Sequence, residues 1–594
     1  MKTLKLVSSM ALLLLISVSC SEDFLNVSPP GSYSEPALQN AKGVEGMLIA
    51  TYSALDGSWF ESWGNNHFNQ HGGASNWQWG SMRSEVAYKG TEPSDGVDLN
   101  PIERANVAAG NPILENKWNA CYDGIGKANA TLRNLEIAKD EFAGDNYTRV
   151  QAEARFLRGH FHFEAVKVFG RAPYVDETVV DFAAVQNSDE LIWSQIEDDF
   201  RFAYENLPGT MPNAGRVNKW TAGAMLAKVM MFQGNWSGAK AIFDDVIANG
   251  TTSTGDPLSL TPQYHHNFRA DLEPGNTEIM FGYEAAYGDG SISNGNYENT
   301  LNQPHGSNAR TACCGFFQPS QRLANAFKTD GDGLPLIDTY NDSDIANDEG
   351  IPADDPFTPE AGNLDARIDW TIGRRGIPFL DWGVNPGSTA GWVRNVPNGG
   401  IYNPVKTVPT LAEFDAQLAG VIDWGFTSTA KNVHIIRYAD VLLLAAEAEA
   451  ELGNLDAARD LVNQVRARAA NEEGFVKLED GTNAANYVVG EYTSFASPAE
   501  AVEAVRFERM LELAMEGHRM FDLVRWHLNS SKSAVSFDIV AYMNEYFQSE
   551  GAKRTHLAGA SFEATDIWMP IPTSVITQST VAGVQNITQN PGYN

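Results

Sequence analysis

Aromatic rings and side-chain amides are mixed in the segment from residue 59 to residue 88, and this mixture suits the binding of sugars. A pyranose ring presents an apolar C–H face and a rim of hydroxyl groups, so a receptor needs flat rings with polar partners around them. Tryptophan also loses little rotamer entropy when it binds. Asn, Gln and His side chains accompany four tryptophans in this segment: Trp59, Trp63, Trp77 and Trp79.

The most informative stretch of this segment, residues 75–85, reads SNWQWGSMRSE. In an extended strand, side chains two positions apart lie on the same side. The pattern therefore predicts that Trp77 and Trp79 form one platform, with Asn76 or Arg83 reaching the hydroxyl groups of a sugar. The alternative is that individual rings anchor the loop to the body of the protein, and for any one tryptophan the two interpretations stay open.

A second polar loop, residues 374–395, also combines rings with charged side chains. We expect this loop to face the first one. Its candidate ligand-binding residues are Trp382, Trp392, Asp381 and Arg394.

Residue types that support catalysis or metal binding occur without the required spacing. His160 and His162 resemble a ligand pair, but side chains two apart on a helix point to different faces, and no HExxH motif is present. The sequence contains no GxxxxGK[ST] phosphate loop and no GxSxG nucleophile elbow. We therefore expect a protein that is not an enzyme, with no catalytic residue, no metal site and no cofactor.

Two further features leave alternatives open. The acidic segment 329–350 could hold a structural calcium ion, but it lacks the ligand order of an EF-hand, and a solvated loop is favoured. Cys313 and Cys314 are adjacent, so they could form a strained disulfide; two small unpaired loop residues are the favoured interpretation.

Composition limits the classes of partner. The chain has 594 residues, with 42 Lys and Arg against 75 Asp and Glu, which gives a formal net charge of −33. Such a field repels nucleic acid and anionic membrane surfaces, so no nucleic-acid partner is expected. The length allows several ordinary domains or one large helical assembly with insertions.

The N-terminus has the features of an exported lipoprotein. Residues 1–19 contain two lysines, an apolar run and small residues, as a signal peptide does, and Cys20 follows in a lipobox-like sequence. Ser17 replaces the usual branched residue of that motif, and an ordinary secretory signal is the alternative. No later segment approaches the ~18 apolar residues of a membrane helix, so we expect attachment through a lipid on Cys20.

Helical periodicity dominates the rest of the chain and includes a repeated pattern. Residues 232–246 align with residues 451–465 through matching glycine, asparagine, alanine and valine positions. The spacing is that of tetratricopeptide hairpins, in which small residues lie where two helices touch. We predict a mostly α-helical scaffold over about 41–249 and 434–530. A Gly-, Asn- and Pro-rich insertion over about 250–433 interrupts it, and a C-terminal segment, 531–594, follows.

Ordered motifs along the chain resemble those of the SusD/RagB family, the surface glycan-binding lipoproteins of Bacteroidetes. The motifs are AEARFLRGHFHFEAVKVFGRAPYV (152–175), IIRYADVLLLAAEAEAELG (435–453), ERMLELAMEGHRMFDLVRW (508–526) and WMPIPTSVI (568–576). The resemblance covers nearly all of residues 20–594 and implies a single SusD-like helical domain with a loop-rich ligand face. It further implies an outer-membrane, surface-exposed lipoprotein that passes oligosaccharides to a SusC-like, TonB-dependent transporter.

The charged residues of the 508–526 motif are expected to form structural ion pairs, because spacings of three and four place them on shared helix faces. The candidate loops are aromatic and amide-rich instead of basic, so we expect a neutral glycan, with a laminarin-type β-glucan as the most specific expectation. Three alternatives remain: a tetratricopeptide scaffold for protein partners, a peptide or glycopeptide uptake protein, and a surface glycosidase.

Overall fold

The structure is a computed structural model that describes residues 38–57, 72–290, 294–306, 314–422 and 425–593. Within these ranges, eleven helices of ten or more residues form most of the regular structure. They are α1 Ala41–Ser53, α2 Pro112–Ile137, α3 Asn146–Phe169, α4 Trp193–Asn206, α5 Lys219–Phe232, α6 Trp236–Asn249, α7 Tyr438–Glu451, α8 Leu455–Ala469, α9 Pro498–Glu512, α10 Arg519–Leu528 and α11 Ile539–Gly551. The prediction of a mostly helical fold is confirmed.

The helices begin and end where the local sequence allows it. Asn111 caps α2 through its side chain, which accepts a hydrogen bond from the N–H of Ile113, and proline occupies the first turn. Gly170 ends α3 with a φ of +63°. A side chain there would also collide with Trp568, because its first carbon would lie 2.8 Å from the indole. The Gly-Arg-Ala-Pro sequence thus fixes the end of the helix.

Successive helices pack on one another from α1 to α8, and this continuity includes α6 and α7. The two predicted hairpins, α5–α6 and α7–α8, are therefore neighbours in space although the insertion separates them in sequence. Gly234 and Gly453 make the two turns with positive φ angles of 66° and 80°. The aligned small residues are all completely buried: Ala227, Ala239, Ala446 and Ala458.

Strands are short and occur mainly in and around the insertion. Those of the described residues form five two-stranded antiparallel sheets. The pairs are β1 Ala87–Gly90 with β3 Phe316–Pro319, β2 Ile279–Tyr283 with β8 Val433–Arg437, β4 Ile372–Gly373 with β5 Asn403–Pro404, β6 Ala419–Val421 with β7 Thr427–Thr429, and β9 Thr580–Val581 with β10 Val584–Gln585. The pairing of β2 with β8 brings the two ends of the insertion together immediately before α7.

A network of buried charges joins the C-terminal helices to the insertion. Glu508 accepts from Arg367 and Arg466 at 2.6 and 2.7 Å. Glu512, completely buried, accepts from Arg367 at 3.0 Å and from Arg437 at 2.5 Å. Farther along the motif, Arg525 pairs with Glu447 at 2.5 Å. The prediction that the 508–526 motif is structural is consistent with these contacts, because buried charges of this kind need paired partners.

No helix in the described ranges combines the length and the apolar character required to cross a bilayer.

Candidate functional site

The stretch from Trp77 to Met82 forms a single π-helical turn in place of the extended strand that its alternation predicts. Trp77 and Trp79 are both 0% exposed. The Trp77 ring packs on Phe316 and Phe317, with ring centroids 6.3 and 5.4 Å apart. The prediction that the two tryptophans form one exposed platform is wrong, because helical geometry separates their directions and the insertion covers them.

Asn76 and Arg83, the predicted polar partners of those rings, are also buried. The Asn76 side chain donates to Glu164 at 2.9 Å and accepts from the ammonium group of Lys117 at 2.9 Å. Arg83 donates to the carbonyl oxygen of Asp566 at 2.8 Å, and burial lowers its pKa to about 10. Their placement as sugar ligands is therefore also wrong; they fasten the π-helical turn to the helices and to the C-terminal segment.

The π-helical turn meets the Glu-Gly-x-Arg part of the 508–526 motif through backbone contact. A methyl group on Gly80 would lie 1.7 Å from the carbonyl oxygen of Gly517. One on Gly517 would lie 2.1 Å from the carbonyl oxygen of Ser75, and Gly517 has a φ of +78°. Glycine is required at both positions, so two motifs more than 400 residues apart in sequence form one structural unit.

Trp59 and Trp63 lie outside the described residues, and their role stays a prediction. The described chain stops at Gly57 and resumes at Gly72, and these ends are adjacent. A methyl group on Gly57 would lie 2.2 Å from the backbone nitrogen of Gly73. The carboxylate of Glu298 accepts hydrogen bonds from the N–H groups of residues 74 and 75 at 2.7 and 2.6 Å. The insertion therefore holds the base of this loop.

The second predicted loop forms a small aromatic cluster. Trp382 and Trp392 meet edge to face at 6.0 Å, and both rings contact Phe379. Trp392 is only 4% exposed, so the prediction that it offers a free ring face to a sugar is wrong. Trp382 is half-buried and retains some exposed surface, while its indole N–H donates to the carbonyl oxygen of Pro409 at 3.0 Å.

Asp381 and Arg394 are exposed, and both side chains already form hydrogen bonds within the protein. Asp381 accepts from the N–H groups of residues 411 and 412 at 2.7 and 2.9 Å, which caps the short helix Leu411–Asp415. Arg394 donates to Glu92 at 2.8 Å and to Asp95 at 2.5 Å. The Arg394 ion pairs are exposed and contribute little stability, and both side chains keep surface that a ligand can reach.

One short segment connects the two loops. Glu298 holds the base of the first loop, and seven residues later the N–H of His305 donates to the carbonyl oxygen of Trp392 at 2.8 Å. Seven residues span at most about 25 Å. A methyl group on Gly315 would contact both His305 and Arg394, so these two side chains are neighbours. The segment 294–306 was missed by the sequence analysis; its amide-rich run Asn-Thr-Leu-Asn-Gln-Pro-His was the available signal.

His160 and His162 are packing residues and not a pair of metal ligands. Both are buried on α3, and the N–H of Val175 donates to Nε2 of His162 at 3.0 Å while Nδ1 of that ring donates to the carbonyl oxygen of Arg158. Burial lowers the pKa of His162 to about 3. In the described ranges, no three His, Cys, Asp or Glu side chains are grouped as metal ligands would be.

Two open alternatives from the sequence concern calcium and the paired cysteines. In the acidic segment, Asp330 accepts from two backbone N–H groups and Asp344 pairs with Lys553. A structural calcium ion there stays a prediction. Cys314 is disulfide-bonded, so the interpretation as an unpaired loop residue is wrong for it; Cys313 lies outside the described residues.

Comparison with known proteins decides the family. A family model described as "SusD family" matches residues 277–593, which is more than half of the chain. The chain belongs to the SusD family. A second model, described as "Starch-binding associating with outer membrane", matches residues 23–231. SusD-family proteins bind carbohydrate, are not enzymes and associate with the outer-membrane surface.

Individual relatives are similar over most of their length. "SusD-like protein P25" of Formosa agariphila is 25% identical over 544 residues, covering 86% of this chain and 88% of that protein. A "SusD-like protein" of Bacteroides ovatus is 23% identical over 533 residues, covering 86% and 80%. Among solved structures, a "Laminarin binding SusD-like protein" aligns with a TM-score of 0.62 at 22% identity, covering 93% of this chain and 100% of that one.

A further structure, "Surface glycan-binding protein A from Bacteroides uniformis", aligns with a TM-score of 0.64 at 18% identity and covers 92% of this chain and 99% of that one. At these identities the structural likeness shows the fold, and it confirms the prediction of a SusD-like architecture.

Proposed function

We propose that this SusD-family protein binds a neutral oligosaccharide or polysaccharide at the cell surface and delivers it to a SusC-like, TonB-dependent transporter. The observation that carries the proposal is the family match over residues 277–593. A laminarin-type β-glucan is the proposed ligand. One structurally similar protein is described as laminarin-binding, and the candidate loops of this chain are aromatic and amide-rich instead of basic.

The proposed ligand face centres on the second loop and on segment 294–306, in which Glu298 holds residues 74 and 75 and His305 holds Trp392. Trp382 contributes the partly exposed ring, since Trp77, Trp79 and Trp392 are enclosed. Asp381 precedes it in the chain, and Arg394 is exposed in weak surface ion pairs that a sugar hydroxyl can replace. Trp59 and Trp63 keep the role of further stacking rings that the sequence predicts.

Attachment to the outer membrane is proposed to occur through a lipid on Cys20, after removal of residues 1–19. Two acyl chains with no spanning helix anchor a protein stably. Cys20→Ala should therefore move the protein from the membrane fraction to the soluble fraction. Retention of the variant in the outer membrane would contradict lipid attachment at this residue.

The test of ligand binding uses the soluble chain without residues 1–20, titrated against laminarin, xyloglucan oligosaccharides and a peptide panel by calorimetry. Trp382→Ala should weaken laminarin binding by about 30-fold, the loss of ~2 kcal/mol typical of a central tryptophan contact. Phe182→Ala is the matched control, because Phe182 is an exposed aromatic residue, 59% accessible, on another part of the surface. The Phe182→Ala variant should bind laminarin with the affinity of the wild type.

Three results would contradict the proposal in different ways. Unchanged laminarin affinity in Trp382→Ala would remove the second loop from the site. Binding of peptides without any glycan would favour a peptide uptake protein. Release of reducing sugar during incubation would show an enzyme.

A further inference from the structure

Trp77 lines a partly open cavity of about 60 Å³. Phe268 and Phe317 form other parts of its wall, and charged side chains complete it: Lys406, Lys431 and Glu516. A cavity needs only about 10–15 Å³ to hold one water molecule, so this one accommodates a group of a few heavy atoms. It is too small for a sugar ring with its hydroxyl groups, and its occupant is therefore distinct from the proposed glycan.

Two polar atoms of the wall residues are buried without a hydrogen-bond partner in the described part of the chain: Nε1 of Trp77 and Nε2 of His434. Trp77 is 0% exposed, and an indole N–H can only donate. Buried donors in native proteins nearly always have an acceptor, so this nitrogen indicates an acceptor that is not part of the described chain.

The two lysines supply donors beyond those that the protein uses. The Lys431 ammonium group donates to the carbonyl oxygens of Val408 and Lys406 at 2.7 and 3.2 Å, which uses two of its three N–H groups. The Lys406 ammonium group donates to Glu516 at 2.6 Å and to the carbonyl oxygen of Glu512 at 3.5 Å, which leaves one N–H group, and it lies 4.5 Å from the centre of the Phe268 ring. Both lysines are buried, so their charges are little screened by solvent.

The main side-chain acceptors of the same wall are already occupied. Glu516 accepts from Nε and Nη2 of Arg437, both at 2.9 Å, in addition to Lys406. Oδ1 of Asn299 accepts from the side chain of Asn302 at 2.9 Å. Glu516 and Oδ1 of Asn299 thus have little accepting capacity left, Nε2 of His434 donates or accepts according to its tautomer, and the wall carries two ammonium groups against one carboxylate.

We propose that this cavity binds a small monovalent anion, held by Nε1 of Trp77 and by the ammonium groups of Lys406 and Lys431. A halide or a formate-sized carboxylate has the charge, the size and the acceptor character that the wall requires. This inference does not depend on the identity of the glycan. It gives the buried Trp77 a role in binding that differs from sugar stacking.

The direct test is a crystal of the protein grown with bromide as the halide. We expect an anomalous peak at hydrogen-bonding distance from Nε1 of Trp77 and from the ammonium group of Lys431. A cavity that holds only water density, while surface bromide sites are visible in the same map, would overturn the proposal.

A solution test uses the melting temperature of the full soluble chain at constant ionic strength, with bromide or formate replacing gluconate, which is too large for the cavity. Binding to the folded state raises the melting temperature in proportion to the logarithm of occupancy. Trp77→Phe keeps a ring and removes the donor, so it should weaken the apparent anion affinity by about tenfold. Trp118→Phe, at a buried ring outside the cavity, should leave it unchanged. Equal anion responses in both variants would refute the assignment.

Discussion

Replacement of Trp79 by alanine distinguishes a buried structural ring from a sugar-binding one. The Trp79 side chain is 0% exposed, so its whole surface is removed from solvent on folding. A buried tryptophan side chain covers about 150–250 Å², which corresponds to about 4–6 kcal/mol at ~25 cal/mol per Å². Measured costs of replacing buried Phe or Trp by Ala are about 3–5 kcal/mol.

The surroundings of Trp79 favour the upper part of that range. The cost of a cavity depends on how far the neighbours can collapse into it. Here the backbone of Gly80 is already pressed against that of Gly517, where an added methyl group would be 1.7 Å from the carbonyl oxygen. The turn therefore has little freedom to close over the space, and we expect Trp79→Ala to lower the free energy of unfolding by about 4–5 kcal/mol.

Urea unfolding followed by circular dichroism measures the loss of stability, and calorimetry on the folded variant measures laminarin affinity. Because Trp79 is enclosed, the folded variant should bind with an affinity within about threefold of the wild type, under ~0.7 kcal/mol. Trp382→Ala should instead lose laminarin affinity, with a smaller loss of stability than Trp79→Ala because its ring is only half-buried. If Trp79→Ala kept its stability to within about 1 kcal/mol and lost the glycan, the structural assignment of this ring would be refuted.

Three further predictions concern the same region and the charges behind it. Gly517→Ala adds a methyl group 2.1 Å from a carbonyl oxygen at a residue with positive φ, and it should lower the free energy of unfolding in urea by about 2–5 kcal/mol. The control Gly481→Ala, with a φ of +83° and open space around it, should lose only ~1 kcal/mol, and equal losses would contradict the close contact at Gly517. Glu512→Gln should lower the free energy of unfolding by about 3–5 kcal/mol, because it leaves buried guanidinium groups without their carboxylate. The control is Glu545→Gln, which should cost under ~1 kcal/mol because the Glu545 side chain is 54% exposed; similar losses in both variants would show that burial of the ion pair does not matter here. Burial alone would raise the pKa of Asp522, but two arginines outweigh this effect and lower the pKa to about 2, so the stability that the carboxylate contributes is present above pH ~4 and is lost as the pH falls towards 2. The urea midpoint of the wild type should therefore decline between pH 6 and pH 3, and that of Asp522→Asn should decline less steeply.

Local sequence predicted the helices well where a periodic pattern meets a clear stop. The apolar spacing of residues 149–169 and the following Gly-Arg-Ala-Pro match α3, Asn146–Phe169. The 508–526 motif lies on two helices, Pro498–Glu512 and Arg519–Leu528, because Met515 and Gly517 between them both have positive φ angles. The glycine was visible in the sequence, but its left-handed conformation depends on the contact with Ser75.

The stacking of the two helical hairpins shows a different limit. The repeat was detectable because small residues and turn glycines recur at fixed spacing. The direct contact between the two copies could not be predicted, since 219 positions separate them in the sequence. Pairing of β2 with β8 closes the insertion at its base and allows α6 to meet α7.

By itself, the sequence determined the helical periodicity and the family motifs, because both are written in local composition or spacing, and it carries the prediction of an exported lipoprotein. The exposure of individual rings was decided only by the tertiary structure. Tryptophan suits both a sugar platform and a protein core, and SNWQWG is compatible with a strand or a π-helical turn. Residues 316, 317 and 517 pack against the π-helical turn from distant parts of the chain. As a result, Trp77 and Trp79 are core residues and not ligand-binding ones.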